Sequence, residues 1–200
     1  MTAGAAWDAG VAGVPCIGET VSGDLALLAE TAGAWTALLV DVSGHGERAH
    51  ALCHRLHVLE LLAGEPNLVR ILERVHAELQ GTVGAAAMAA QVVWLGTTAA
   101  LRYAGVGNVR IWGHQRVAFA DEGQPGLLGS GMPGTLRVTE RPLEVGDRLV
   151  LVTDGVRSEG RKVLQQPYPD ARQLAAVMVH GHAGTHDDAT CVALQVRRRA

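Results

Sequence analysis

Apolar and polar positions along the chain change period several times, and each change marks a predicted element. Residues 24–30 form a short strand-like run that turns at 31–33. Residues 35–40 follow as a nearly continuous apolar run of strand length, the pattern of a strand buried on both faces. That run stops at Asp41, and beyond Gly46 the period lengthens. Ala49, Leu52, Cys53, Leu56, Leu59 and Leu62 recur at helical spacing, which predicts a helix ended by Gly64 and Pro66. Leu68, Ile71, Leu72, Val75 and Leu79 predict a second helix over 68–80, stopped by Gly81. Strand patterns then return over 85–94, 99–104, 108–112, 116–120, 135–141 and 148–153, separated by glycine-rich turns. A short helix over 169–180 and a closing strand over 189–196 complete the series.

Strands grouped apart from helices predict an α+β fold rather than an alternating α/β one. Neither an internal repeat nor a low-complexity linker divides the chain, so a single domain spanning 1–200 is expected. The composition permits this: 48% apolar residues at 20.9 kDa are enough for a core without disulfide or metal staples. A net charge of −3, with four Trp, two Tyr and one Phe, gives neither a basic face nor a base-stacking platform, so nucleic acid is not expected as a partner. No apolar run approaches the ~20 residues of a bilayer span, and the first residues lack a charged n-region and an apolar h-region. Cys16, Cys53 and Cys191 are odd in number and far apart, which fits buried thiols in a reducing cytoplasm.

The candidate chemistry lies in where aspartates fall. Two strongly apolar strands end in an aspartate beside glycine: Asp41-Val42-Ser43-Gly44 and Thr153-Asp154-Gly155. Asp24 follows Ser22-Gly23 at the start of a strand, and Asp187-Asp188 stands just before the last one. Each alone reads equally as a turn or a cap. Together they offer carboxylates at several strand ends, the all-oxygen set that hard divalent ions such as Mg²⁺ and Mn²⁺ prefer.

The ordered set Ser22-Gly23-Asp24, Asp41-Val42-Ser43-Gly44-His45-Gly46, Thr153-Asp154-Gly155 and Asp187-Asp188-Ala189-Thr190 resembles the PPM-type metal-dependent protein phosphatases, in their bacterial SpoIIE-like branch. Ala104-Gly105-Val106-Gly107-Asn108-Val109 is similar to that family's central Gly-Asn turn, and the likeness runs from about residue 18 to 196. The resemblance implies an α-β-β-α sandwich of two antiparallel sheets flanked by helices. It implies two Mn²⁺ or Mg²⁺ ions bridged by Asp41, with the Val42 carbonyl and Asp24 on one ion and Asp154 and Asp187 on the other. Asp188 is a further candidate ligand. The activity implied is hydrolysis of phosphoserine or phosphothreonine by a water activated between the two ions. His45, four residues after Asp41, is the candidate general acid, at a different offset from the histidine of the family's eukaryotic branch. No Arg or Lys precedes Arg48 to meet the phosphate, which leaves the metals or a later residue such as Arg157.

Catalytic motifs that begin by residue 24 make the chain similar to stand-alone RsbX-type phosphatases, for which a phosphorylated STAS-domain protein of a stressosome-like complex is the implied substrate. A catalytically silent, phosphatase-like module that docks a phosphoprotein is the alternative. Residues 113–133, rich in glycine, are expected to form a substrate-facing flap. Ser43 is expected to cap the first helix. His50, His54 and His57 share one helical face with Cys53; their spacing suits zinc, but partly exposed helix histidines are the plainer reading. Arg197 to Arg199 read as a solvated basic end.

Overall fold

The computed structural model describes residues 5–31, 34–58, 60–95, 98–115 and 118–198. Leu59 and Arg199, the end of the turn at 31–33 and the start of the run at 116–120 lie outside them.

Ten strands form two antiparallel sheets. One runs β1(Ala5–Val14), β10(Ala189–Arg198), β9(Arg148–Val152), β6(Arg110–His114), β7(Phe119–Glu122); the other runs β2(Asp24–Thr31), β3(Ala34–Val42), β4(Ala85–Leu95), β5(Thr98–Val106), β8(Thr139–Leu143). Helices α1(Glu47–Val58) and α2(Leu68–Glu78) cover the β3–β4 sheet, and α3(Ala171–His182) covers the β9–β10 sheet. This is the α-β-β-α sandwich of the α+β class.

Burial explains the long apolar runs. In β3, Leu38, Val40 and Val42 pack under α1 and α2, while Trp35, Ala37 and Leu39 face the other sheet. Both faces are covered, so β3 has no polar alternation until Asp41. Ile111, Leu149, Leu151, Val192 and Leu194 meet those residues from the opposite sheet. In a strand, residues two apart share a face. Asp41 therefore continues the Trp35–Ala37–Leu39 row, at the end where the layer between the sheets opens.

Several boundaries differ from the sequence expectation. β1 was not marked by the pattern, because its Ala and Gly positions carry little hydropathy contrast; its ten residues pair throughout with β10. Gly10 of β1 is needed there, since a Cβ would come 2.4 Å from the Arg172 backbone of α3. A 3-10 helix, Ser158–Gln165, was also missed. β7 and β8 start later than expected, leaving residues 123–138 as a loop. α1 ends at Val58, before the glycine stop. Its first bond runs from the His50 N–H to the Gly46 carbonyl, so Gly46 holds the cap position expected for Ser43.

Candidate metal centre and active site

The aspartates arrive at one end of the sandwich from both sheets. Asp24 and Asp41 are directly opposed in the β2–β3 ladder, so their side chains leave the sheet on the same face. Asp154 sits on the turn after β9, and Asp187 and Asp188 stand just before β10. Asp41, Asp154 and Asp187 line one open pocket of about 360 Å³ together with Ser43, Gly44, Asn108, Gly126 and Leu127. No Lys or Arg lines this pocket, and among the described residues none of the five aspartates is paired with a basic side chain.

That arrangement is electrostatically costly. Burial pushes the Asp41 carboxyl up to about 9, and the charges of Asp24, Asp154, Asp187 and Asp188 push in the same direction. Asp24 rises to about 7, again through burial first, against hydrogen bonds from Thr190 and Thr153 that favour its charged form. Asp187 is raised by burial and by the charge of Asp154. Asp24 Oδ2 accepts a 2.9 Å hydrogen bond from Thr153 Oγ1, whereas Asp24 Oδ1 is sealed from solvent with no partner among the described residues. Buried oxygens are ordinarily satisfied. An unpartnered carboxylate oxygen beside three further acidic groups is the donor chemistry that suits a hard cation. Among the described residues, no three His, Cys, Asp or Glu side chains already stand in a closed ligand set.

Asp188 is engaged differently. It is 2% exposed, and its two oxygens accept from the backbone N–H groups of Cys16 (2.8 Å) and Gly23 (2.7 Å). It thereby fastens the 15–23 loop, and so the start of β2, beside the pocket. Gly23 and Gly155 make this close packing possible: a Cβ on Gly155 would lie 2.0 Å from the Asp188 carbonyl. The Cys53 thiol donates to the Gly23 carbonyl, and burial pushes it up to about 12, so it is an inert structural thiol.

Other candidates fall at the rim or away from it. His45 Nδ1 bonds Glu19 Oε1 at 2.9 Å, and the pair is partly exposed. Ser43 lines the pocket itself. Arg157 turns toward the end of α3, reaching the Gly181 carbonyl at 3.4 Å. The α1 histidines point to solvent, and His50 Nδ1 bonds the Ser22 carbonyl. Arg197 pairs with Asp8 at 2.9 Å.

The expected flap is in part an anchored wall. Its distal half, 123–133, lies in the 123–138 loop, which pairs Leu128 with Ala85 and bonds Gln124 to the Gly105 and Gly107 backbone. Gly126 and Leu127 of that loop face the pocket.

Sequence reasoning missed Asn108 as a site residue. Its Nδ2 donates to Asp154 Oδ2 at 2.6 Å. Its position in a Gly-Asn turn between two strands was the available signal.

A family model described as stage II sporulation protein E (SpoIIE) matches residues 31–197. None of the curated protein sequences matches the chain. Solved structures of similar fold include RsbX in complex with magnesium (TM-score 0.77, 20% identity, 95% of each chain covered). A chain from a structure of the bacterial stressosome aligns with TM-score 0.85 at 22% identity, over 95% of this chain and 100% of that one. The PP2C phosphatase domain of SpoIIE from Bacillus subtilis, solved with a fragment of its regulatory domain, aligns with TM-score 0.83 at 19% identity, over 100% of this chain and 65% of that one. At such identities the neighbours establish a PP2C phosphatase fold, and with the family match over most of its length the chain belongs to the SpoIIE family of PPM-type phosphatase domains.

Proposed function

We propose that the protein is a divalent-metal-dependent phosphatase acting on phosphoserine or phosphothreonine of a signalling protein. The observation that carries this reading is the convergence of Asp41, Asp154 and Asp187 on one pocket that lacks any basic side chain to neutralise them. Asp41, Asp154, Asp187, Asp24 through its unpartnered Oδ1, and the Val42 carbonyl would hold two Mn²⁺ or Mg²⁺ ions. Divalent cations bound there supply charge that offsets the phosphoryl oxygens and acidity that makes water a nucleophile at neutral pH. The magnesium complex of the similar RsbX supports this choice of ion.

The chain's own residues fit the remaining tasks. Asn108 orients Asp154. Ser43 has no Lys, His or Arg beside it in the pocket lining to raise its nucleophilicity, which leaves water to attack. Glu19 holds His45 through Nδ1, so that Nε2 can carry the proton for the departing serine or threonine oxygen. Leu127 and Ala86 give the pocket an apolar side against which the substrate chain can rest. The partner we favour is a phosphorylated STAS-domain protein of a stressosome-like complex, a reading supported by the similarity to RsbX and to a stressosome-derived chain. No helix among the described residues is long and apolar enough to cross a membrane. The competing reading, a silent docking module, predicts tight phosphoprotein binding without turnover.

Three outcomes follow. Hydrolysis of p-nitrophenyl phosphate and a phosphoserine peptide should require Mn²⁺ or Mg²⁺ and fall by orders of magnitude in Asp41→Ala and Asp154→Ala; turnover surviving a chelator would refute the metal-dependent reading. His45→Ala should slow release of serine, a poor leaving group, far more than release of p-nitrophenol, and equal slowing would remove His45 as proton donor.

The third outcome concerns stability. Asp41 and Asp24 ionise near pH 3.8 when unfolded but near 9 and 7 when folded. Between those values the unfolded chain releases protons that the folded chain keeps, so metal-free stability should fall as pH rises from about 4 to 9. Thermal denaturation in chelator should show that decline, and Asp41→Asn should flatten it. Because ligands must be deprotonated, the rise in Tm on adding Mn²⁺ should grow over the same range; a Tm shift independent of pH would contradict the carboxylate cluster.

A further inference from the structure

The carboxylates are not the only side chains that fix this site. We infer that Arg110 is a positioning residue that holds the Asp154 turn, with Asn108 as its partner on the carboxylate; the inference rests on the metal-dependent reading above. Arg110 is directly opposite Val152 in the β6–β9 ladder, so its side chain starts level with the end of β9. Its Nη2 reaches the carbonyls of Thr153 (3.2 Å), Asp154 (3.2 Å) and Val156 (2.6 Å), and Nη1 donates to Ser158 Oγ at 3.2 Å. One guanidinium thus gathers three carbonyls of the turn that presents Asp154 and ties it to the 3-10 helix beyond. The guanidinium also lies over the Trp112 ring at 5.2 Å, which restricts its swing.

Asn108, in the turn just before β6, bonds the Asp154 carboxylate itself. Main chain and side chain of Asp154 are therefore both held from the β5–β6 turn. The clamp extends to a second aspartate: Thr153, whose carbonyl Arg110 holds, donates its hydroxyl to Asp24 Oδ2 and accepts from the Thr190 N–H. Without the clamp, a turn carrying an exposed acid would be free to swing away from Asp41 and Asp187, whose charges repel it.

Geometry rather than charge is the requirement. A lysine ammonium is a compact point charge on a flexible stem and cannot span three carbonyls and a hydroxyl as a planar guanidinium does. Arg110→Lys should then behave nearly as badly as Arg110→Met, and Asn108→Ala should share the defect.

The test is Mn²⁺ binding measured by calorimetry on the metal-free protein, with no turnover required, alongside kcat and KM for p-nitrophenyl phosphate. Outer residues that orient metal ligands are worth about 10–100-fold in affinity. Arg110→Met, Arg110→Lys and Asn108→Ala should each weaken Mn²⁺ within that range, with chelated Tm values close to wild type. They should also raise the Mn²⁺ concentration for half-maximal rate more than the substrate KM. Wild-type affinity in Asn108→Ala and Arg110→Met would overturn the inference and leave the phosphatase reading intact. Full rescue by Arg110→Lys would overturn the carbonyl clamp. A wild-type protein that binds no Mn²⁺ would remove both. If Arg110→Met does not fold, Asn108→Ala and Arg110→Lys decide the question.

Discussion

Mutual repulsion among carboxylates at one end of the sandwich is the constraint around which the rest of the structure is arranged. Asp24 and Asp41 face each other across a strand pair, a position where like charges are unfavourable. Asp154 and Asp187 add to the same pocket from the other sheet. A fold gains nothing from such a gathering in isolation, and the raised Asp41 and Asp24 carboxyls record its cost. What holds the groups together is the rest of the domain: two sheets packed through Leu39, Ile111, Leu151 and Val192, with helices sealing both outer faces.

The polar framework around the pocket serves the same end. Asp188 spends its charge on two backbone amides rather than facing the pocket, and so locks the loop before β2. Thr153 links Asp24 to the strand that delivers Asp154. Arg110 and Asn108 restrain the turn on which Asp154 sits. Each of these groups fixes a carboxylate without neutralising it, as a site meant to receive a cation requires. The proposed phosphatase chemistry builds on this: charge repulsion held in place by the fold would become affinity once a divalent ion is present.

Much of this was legible in the amino-acid pattern. The continuous apolar run of β3 announced a strand buried on both faces, and the abrupt aspartate at its end marked the candidate site. The helical stripe of α2 matched its buried face, Leu68, Ile71, Leu72 and Val75. What escaped has physical reasons. β1 is mostly Ala and Gly, whose small contrast hides a two-residue period even though its pairing with β10 is complete. The double amide contact of Asp188 joins residues far apart in sequence, so no local spacing encodes it. Arg110 opens β6 two residues after Asn108 of the preceding turn, and its acceptors are main-chain carbonyls with no sequence signature.

The central claim is that this acidic pocket exists to bind divalent ions. Crystals of the protein soaked in Mn²⁺, with anomalous diffraction collected at the manganese edge, test it directly. The account predicts two anomalous peaks in the pocket, one within bonding distance of Asp41 and both among Asp24, Asp41, Asp154 and Asp187. A pocket without manganese, or ions bound only elsewhere on the surface, would contradict it.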